Sequence, residues 1–377
     1  MRGAVAAAAG IGAVLLVSAG DAAPRPLLLV ASLPNTAVVV TRAERASLDR
    51  IGRPIMLGEY HDSWALSPNR ARIAFGISAP GRLARIGVRL VDLRRWRVVG
   101  NFETGIAADV LWWPSARSLI AVLPACICPR QVTGFVVVDP VKQRIVKRVR
   151  FRGALELFHG GQAIASRLAV LLDDRVASTP APGVLAVIGA DGSYRVVRLT
   201  RIRLSPERWG SAAVAKSRRG IVVLSNGIAA EVDPTTLAVT YHELDAAPPG
   251  SRFVAAAGLG DSVAVGWSDT NRRTGRLDLI STRTWQVRHL EDAPAMAVTD
   301  GVILAYGTGA IGIRGYRADG SRAFSILGAD VVRSVAVTRS VAYVQTASAT
   351  VAVDVASGTV VRRLTPPQAI RQAIDPG

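Results

Sequence analysis

The chain has 377 residues, half of them hydrophobic and 20% charged, which supplies enough apolar surface to offset the entropy of ordering and excludes a disordered chain. Lysine and arginine number 46 against 28 acidic residues, a formal charge of +18. That balance suits an acidic partner such as anionic lipid, an anionic envelope polymer or nucleic acid, and it is also what arginine-rich codon usage produces. Aromatics are only 5%, too few for a platform that stacks sugars or single strands.

At the N-terminus Met1, Arg2 and Gly3 lead into the apolar run AVAAAAGIGAVLLV and then Ser18-Ala19-Gly20-Asp21-Ala22-Ala23. A basic start, a short apolar stretch and small residues at its exit predict a secretory signal peptide over residues 1–22, cut after Gly20 or Ala22. The apolar run is shorter than the roughly 20 residues that span a bilayer. No Cys follows it to carry a lipid, and no later segment is long and apolar enough to cross, so the mature chain is expected to be exported without a transmembrane span. The expected location is extracellular, cell-surface or periplasmic, and export makes nucleic acid the weakest of the three partners.

Along the rest of the chain, runs of Val, Ile, Leu and Ala alternate with turn residues, and no helical period persists. A weak first copy of a hairpin lies at 36–52 (TAVVVTRAERASLDRIG), with a strand expected near Leu48. Clearer copies follow: VRLVDLRRWRVVG at 88–100, GFVVVDPVKQRIVKRV at 134–149, LAVIGADGSYRVVRL at 185–199, AAEVDPTTLAVTYHEL at 229–244, LDLISTRTWQVRHL at 277–290, IRGYRADGSRAFSIL at 313–327 and VAVDVASGTVVRRL at 351–364. The recurring acids Asp92, Asp139, Asp233 and Asp354, with Asp191 and Asp319 displaced into Asp-Gly turns, suit a carboxylate that bonds backbone N–H groups two or so residues on. A repeated turn needs them repeatedly, so they read as structural and not catalytic. Before most hairpins lies a second pair of strands, as in VLWWPSARSLIAVL (110–123) and SVAVTRSVAYVQT (334–346). Four strands per unit at a spacing of about 35 to 50 residues is the period of β-propeller blades. The expected fold is therefore all-β, a propeller of seven or eight four-stranded antiparallel blades over residues 27–364. The tail at 365–377, with QAIRQAID at 368–375, or a short N-terminal piece is available to complete the first unit.

The segment Trp64-Ala65-Leu66-Ser67-Pro68-Asn69, with RIAF at 72–75 and VDLRRWRVV at 91–99, resembles the "S-P-D-G…L-A-F…V-D-x-x-T-G-x-V" blade of bacterial YVTN-type and Tol-system-type propellers. The likeness extends loosely over residues 27–364 and specifies fold better than activity. Asn69 stands where the pattern has Asp, and Arg70 where it has Gly. What the resemblance implies is binding or scaffolding.

Candidate chemistry is sparse. His61, His159, His242 and His289 show no metal-ligand spacing, and no nucleophile elbow or phosphate loop is present. Glycines in YGTGAIGIRG (306–315) fall within a β pattern, so no cofactor is assigned. Cys126 and Cys128, the only cysteines, predict a small disulfide ring or structural thiols in an oxidising compartment, and lack the His or Met of a copper site. The basic d strands, such as KQRIVKRVRFR at 142–152, discourage edge-to-edge pairing. More selective are the long loops between strands b and c, which carry Arg82, Arg85, Arg130, Arg175, Arg272, Arg273 and Arg276. Of these, Arg82, Arg85, Arg130, Arg272 and Arg273 are taken as a one-sided basic rim for a protein or anionic envelope partner. The expected role is thus a monomeric, non-enzymatic binding module; the alternative is a hydrolase or cofactor-dependent oxidoreductase with its site in the axial funnel.

Overall fold

The structure, a computed structural model, describes residues 26–376 apart from 33–37, 46, 79–85, 124–133, 153–154, 165, 175–180, 205–210, 226, 246–251, 269–273, 294, 308–311, 329, 366 and 368–369. Every regular element among them is a strand, so no helix there is long and apolar enough to cross a membrane. The strands form an eight-bladed β-propeller with four antiparallel strands per blade.

The pattern that builds each blade is visible in blade 3, made of Val110–Ser115, Ser118–Leu123, Gly134–Asp139 and Arg144–Arg150 as strands a to d from the axis outward. Strands b and c are buried at every residue. Leu119, Ala121, Val136 and Val138 face blade 2, whereas Ile120, Val122 and Val137 face blade 4. Side chains that alternate between two buried faces give a continuous apolar run. Strand d is instead mostly exposed, at Arg144, Val146, Lys147, Arg148 and Arg150. Eight apolar clusters result, one for each junction between neighbouring blades.

Blades 1 and 2 are continuous. The 17-residue strand Arg50–Leu66 pairs through its first half with Val38–Ala43, as the outer strand of blade 1. Its second half pairs with Arg72–Ser78, as the inner strand of blade 2. Gly87–Asp92 and Arg97–Glu103 complete blade 2. The strand expected near Leu48 begins at Arg50, and Leu48 itself sits in the c–d turn of blade 1 with φ 58°. Blade 1 takes its inner strand from the other end of the chain. Ile370–Ile374 pairs antiparallel with Leu27–Ser32, with Leu28 opposite Ile374 and Leu29 opposite Ala373. Arg45 in the c–d turn of blade 1 holds Asp375 with both guanidinium arms, Nη1 at 2.8 Å from Oδ2.

Inner strands approach one another so closely that a Cβ on Gly258 would stand 1.6 Å from the carbonyl oxygen of Lys216. Farther out, cations bridge the blades. Arg72 donates from Nη1 to the Pro140 carbonyl at 3.1 Å, Arg167 to Pro234 at 2.6 Å, Lys147 to Gly192 at 2.8 Å, Arg195 to Thr235 at 2.9 Å and Arg288 to Asp319 at 2.9 Å. Every acceptor lies in the c–d turn of the next blade. The basic outer strands are therefore stitching between blades as well as protection of an edge.

Candidate functional site

The repeated acids close turns. Asp92 Oδ1 accepts the N–H groups of Arg94 and Arg95 at 3.0 and 2.8 Å, Asp139 Oδ1 those of Val141 and Lys142 at 2.9 Å, and Asp233 Oδ1 those of Thr235 and Thr236 at 2.7 Å. In blade 6, Ser281 Oγ accepts from Arg283 and Thr284 at 3.3 and 3.2 Å in the same place. These backbone bonds hold the carboxyls of Asp139 and Asp233 below the ordinary range. For Asp191, Asp319 and Asp354, the hydroxyls of Ser193, Ser321 and Ser357 act first in the same direction. Four residues after the acid the chain turns left-handed, at Trp96 (φ 49°), Gln143 (φ 52°), Leu237 (φ 63°) and Gly358 (φ 74°). The a–b turn of blade 2 explains the departures from the family pattern. Asn69 Oδ1 accepts from Ser67 Oγ at 2.9 Å and Ala71 N at 3.1 Å, and Arg70 adopts φ 52° in the glycine position.

Most of the arginine rim expected from the sequence lies outside the described residues: Arg82, Arg85, Arg130, Arg175, Arg272 and Arg273, as do Cys126 and Cys128. Arg276, placed by the sequence on the loop, stands instead in strand Gly275–Ser281 with Nε 2.6 Å from Asp278 Oδ1. The side chains of His61 and His159 are likewise outside the described set. His242 stacks on Trp285 with ring centroids 3.9 Å apart, and its Nε2 is 3.6 Å from Glu231 Oε2. His289 lies between Asp278 and Asp292, each at 3.3 Å. The two histidines serve separate blades and do not meet. Among the described residues no group of three His, Cys, Asp or Glu side chains is placed to hold a metal ion.

One polar cluster lies between blades 6 and 7 beside a cavity of about 350 Å³. Burial pushes Glu291 up, but the bonds from Arg314 Nη1 and from Tyr316 Oη at 2.7 Å outweigh it and hold the carboxyl below its ordinary value. Burial and the same bond push the Tyr316 hydroxyl up to about 12. Glu291 and Arg314 neutralise each other, which suits a structural brace, while Arg288, bonded to the Asp319 carbonyl, and Arg322 also line the cavity.

A second cavity, of about 480 Å³, is lined by three arginines and one acid. It opens between blades 2 and 3 on the face that carries the a–b and c–d turns. Ser67, Pro68, Asn69 and Ala71 come from the a–b turn of blade 2, Asp92, Arg94 and Arg95 from its c–d turn, and Trp113, Ala116 and Val141 from blade 3, with Arg72 at the base. Strand alternation puts Trp112 toward blade 4 and Trp113 toward blade 2, so Trp113 forms a wall. Its indole Nε1–H is buried with no hydrogen-bond acceptor. Asp92 is the sole acid of the lining, and its Oδ1 already serves two backbone amides. The side chains of Arg94 and Arg95 are exposed and make no ion pair among the described residues. Arg94 also borders a smaller apolar recess of about 180 Å³ formed with Pro26, Leu28, Leu93 and Pro376. Unpaired, forked guanidinium groups around a cavity are suited to oxyanions, which they bond bidentately. The sequence pointed to the opposite face because loop length is visible in a sequence; a missing counter-charge is not.

No family model matches the chain, and no curated protein matches its sequence. Solved structures do. The dihydro-heme d1 dehydrogenase NirN in complex with DHE is 15% identical with a TM-score of 0.59, over 95% of this chain and 76% of that one. Apo AztD from Citrobacter koseri is 11% identical with a TM-score of 0.59, over 92% and 96%. The Dos1 propeller is 11% identical with a TM-score of 0.54, over 83% and 85%. These likenesses concern the fold alone. The resemblance to YVTN-type and Tol-system-type blades therefore stands at the level of the β-propeller.

Proposed function

We propose that this chain is an exported, non-enzymatic β-propeller that binds an anionic partner of the cell envelope through its turn face, with the cavity between blades 2 and 3 as the centre of contact. The observation that carries this reading is the pair Arg94 and Arg95. Arg72, Lys147, Arg167 and Arg195 are committed to carbonyls of the next blade and Arg283 to Asp261, whereas these two line a cavity and make no ion pair among the described residues. Unneutralised cations beside a concave surface attract and orient anions. Export rests on the basic, apolar and small-residue order of residues 1–23. The arginines at 82, 85, 130, 272 and 273 belong to the same proposal as a secondary basic rim.

The test is retention of the purified protein on envelope material at low and physiological salt. Arg94→Gln combined with Arg95→Gln should lower retention strongly, and replacing the five rim arginines with Gln should lower it less. Unchanged retention in the Arg94/Arg95 variant, with its melting curve intact, would refute the turn face as the binding surface.

A further inference from the structure

The cavity between blades 2 and 3 has a size and a charge that select among anions. Its volume, about 480 Å³, falls within the range of small-molecule sites and far exceeds what a bare phosphate or sulfate ion fills. Three guanidinium groups, of Arg72, Arg94 and Arg95, and the single carboxylate of Asp92 line it, which leaves two positive charges uncompensated. A carboxylate or a phosphodiester brings one negative charge, whereas a phosphomonoester brings about −1.5 to −2 at neutral pH together with three acceptor oxygens. The remaining wall, from Pro68, Ala71, Ala116, Trp113 and Val141, offers apolar contact to whatever carries the phosphate. Val141 is exposed at 62% and stands at the rim.

We infer that the cavity binds a phosphomonoester on a body about the size of one sugar ring, with Arg94 and Arg95 as the grip on the phosphate and Arg72 as the fixed charge beneath them. This rests on the proposed anionic function and sharpens it. Arg72 is held in place by its bond to the Pro140 carbonyl, so one cation is positioned before the ligand arrives. Arg94 and Arg95 are anchored at their backbone by Asp92 and are otherwise uncommitted, so they can close on the phosphate with little rearrangement.

Isothermal titration of the full mature chain tests this with glucose 6-phosphate, glucuronate, inorganic phosphate and glucose as probes. The expected result is one site for glucose 6-phosphate, at least roughly tenfold tighter than any of the other three probes. Arg94→Gln and Arg95→Gln should each weaken it roughly 10- to 100-fold, the factor expected for a charge-assisted bond. Val141→Glu, which puts a negative charge at the exposed rim without touching the arginines, should weaken it as well. Equal affinity for inorganic phosphate would overturn the ring-sized body, and equal affinity for glucuronate would overturn the dianion. If glucose 6-phosphate fails to bind while envelope retention still depends on Arg94 and Arg95, the phosphomonoester is wrong and the broader proposal stands. If both fail, so does the site.

Discussion

Replacing Ile374 by alanine tests how the ring is held. Ile374 is 1% exposed and packs in the cluster between blades 1 and 2, with Leu28, Val30 and Phe75. It belongs to the C-terminal strand that supplies the inner edge of blade 1. Removing three carbons costs about 0.8 kcal/mol each in transfer free energy, or about 2.4 kcal/mol. The space left behind raises this to about 3–4 kcal/mol, within the 2–5 kcal/mol span of buried Ile-to-Ala changes. With an unfolding entropy of about 2.1 cal/mol/K per residue over about 350 residues, the melting temperature should fall by about 4–6 °C. The ion pair next to it is a poor substitute for that packing. Arg45 and Asp375 are 35% and 24% exposed, and a pair in contact with solvent contributes at most about 1 kcal/mol. Differential scanning calorimetry would compare Ile374→Ala with Val361→Ala, whose side chain is 60% exposed on the outer strand of blade 8. The latter should stay within about ±0.5 kcal/mol of the parent. Equal melting of the two variants would refute a load on the C-terminal strand.

Two further outcomes follow from the turns. Gln143 is exposed and holds φ 52°, a conformation that costs an L-residue about 1–2 kcal/mol; glycine relieves this but adds about 0.4–1 kcal/mol of unfolded-state entropy. Gln143→Gly should therefore raise stability by about 0.5–1 kcal/mol in urea titration, and a loss would show that Gln143 makes a contact worth more than its strain. The carboxyls of Asp139, Asp191, Asp233, Asp319 and Asp354 are all held below their ordinary values. Their contribution is complete above the unfolded-state value near 3.9 and disappears as pH falls through the lowered folded values. The melting temperature should thus be level from about pH 7 to pH 5 and decline below about pH 4; a rise on acidification would contradict the sign.

The blade repeat could be read in the sequence because its determinants are local. Asp233 bonds residues two and three places on, and strands b and c announce themselves as short apolar runs. Eight hairpins could be counted, though the weak first unit left the number of blades at seven or eight. Contacts between blades are not local, and they were not legible. Lys147 reaches Gly192 across 45 positions and Arg72 reaches Pro140 across 68, so nothing near either cation indicates a partner. The outer strands accordingly looked like edge protection only. The inner strand of blade 1 is as distant, as the 330-residue separation of Arg45 and Asp375 shows; the sequence offered the tail at 368–375 as one way to complete that unit, and Ile370–Ile374 does so, but the contacts that fix it there were not legible. The cavity is assembled from the turns at 67–72 and 92–95 of blade 2 and from Trp113, Ala116 and Val141 of blade 3, each ordinary by itself.

The turns also separate cations that the fold uses from those it does not. In blades 2, 3 and 5 the two residues that donate N–H to the turn acid are Arg94-Arg95, Val141-Lys142 and Thr235-Thr236. In blade 6 they are Arg283-Thr284, donating to a serine. Because the bond is made by the backbone, the turn is indifferent to the side chain, as threonine in blade 5 demonstrates. Where arginine occurs in blade 6, it has an acid: Arg283 holds Asp261 through Nε at 3.0 Å and Nη2 at 2.6 Å, and that carboxyl is held below its ordinary value mainly by this bond. In blade 2 both positions are arginine and neither has an acid among the described residues. Two like charges side by side repel, and the fold gains nothing from them that Thr235-Thr236 does not supply. Their placement at the mouth of a cavity whose base holds a third arginine is what a bound anion would make favourable.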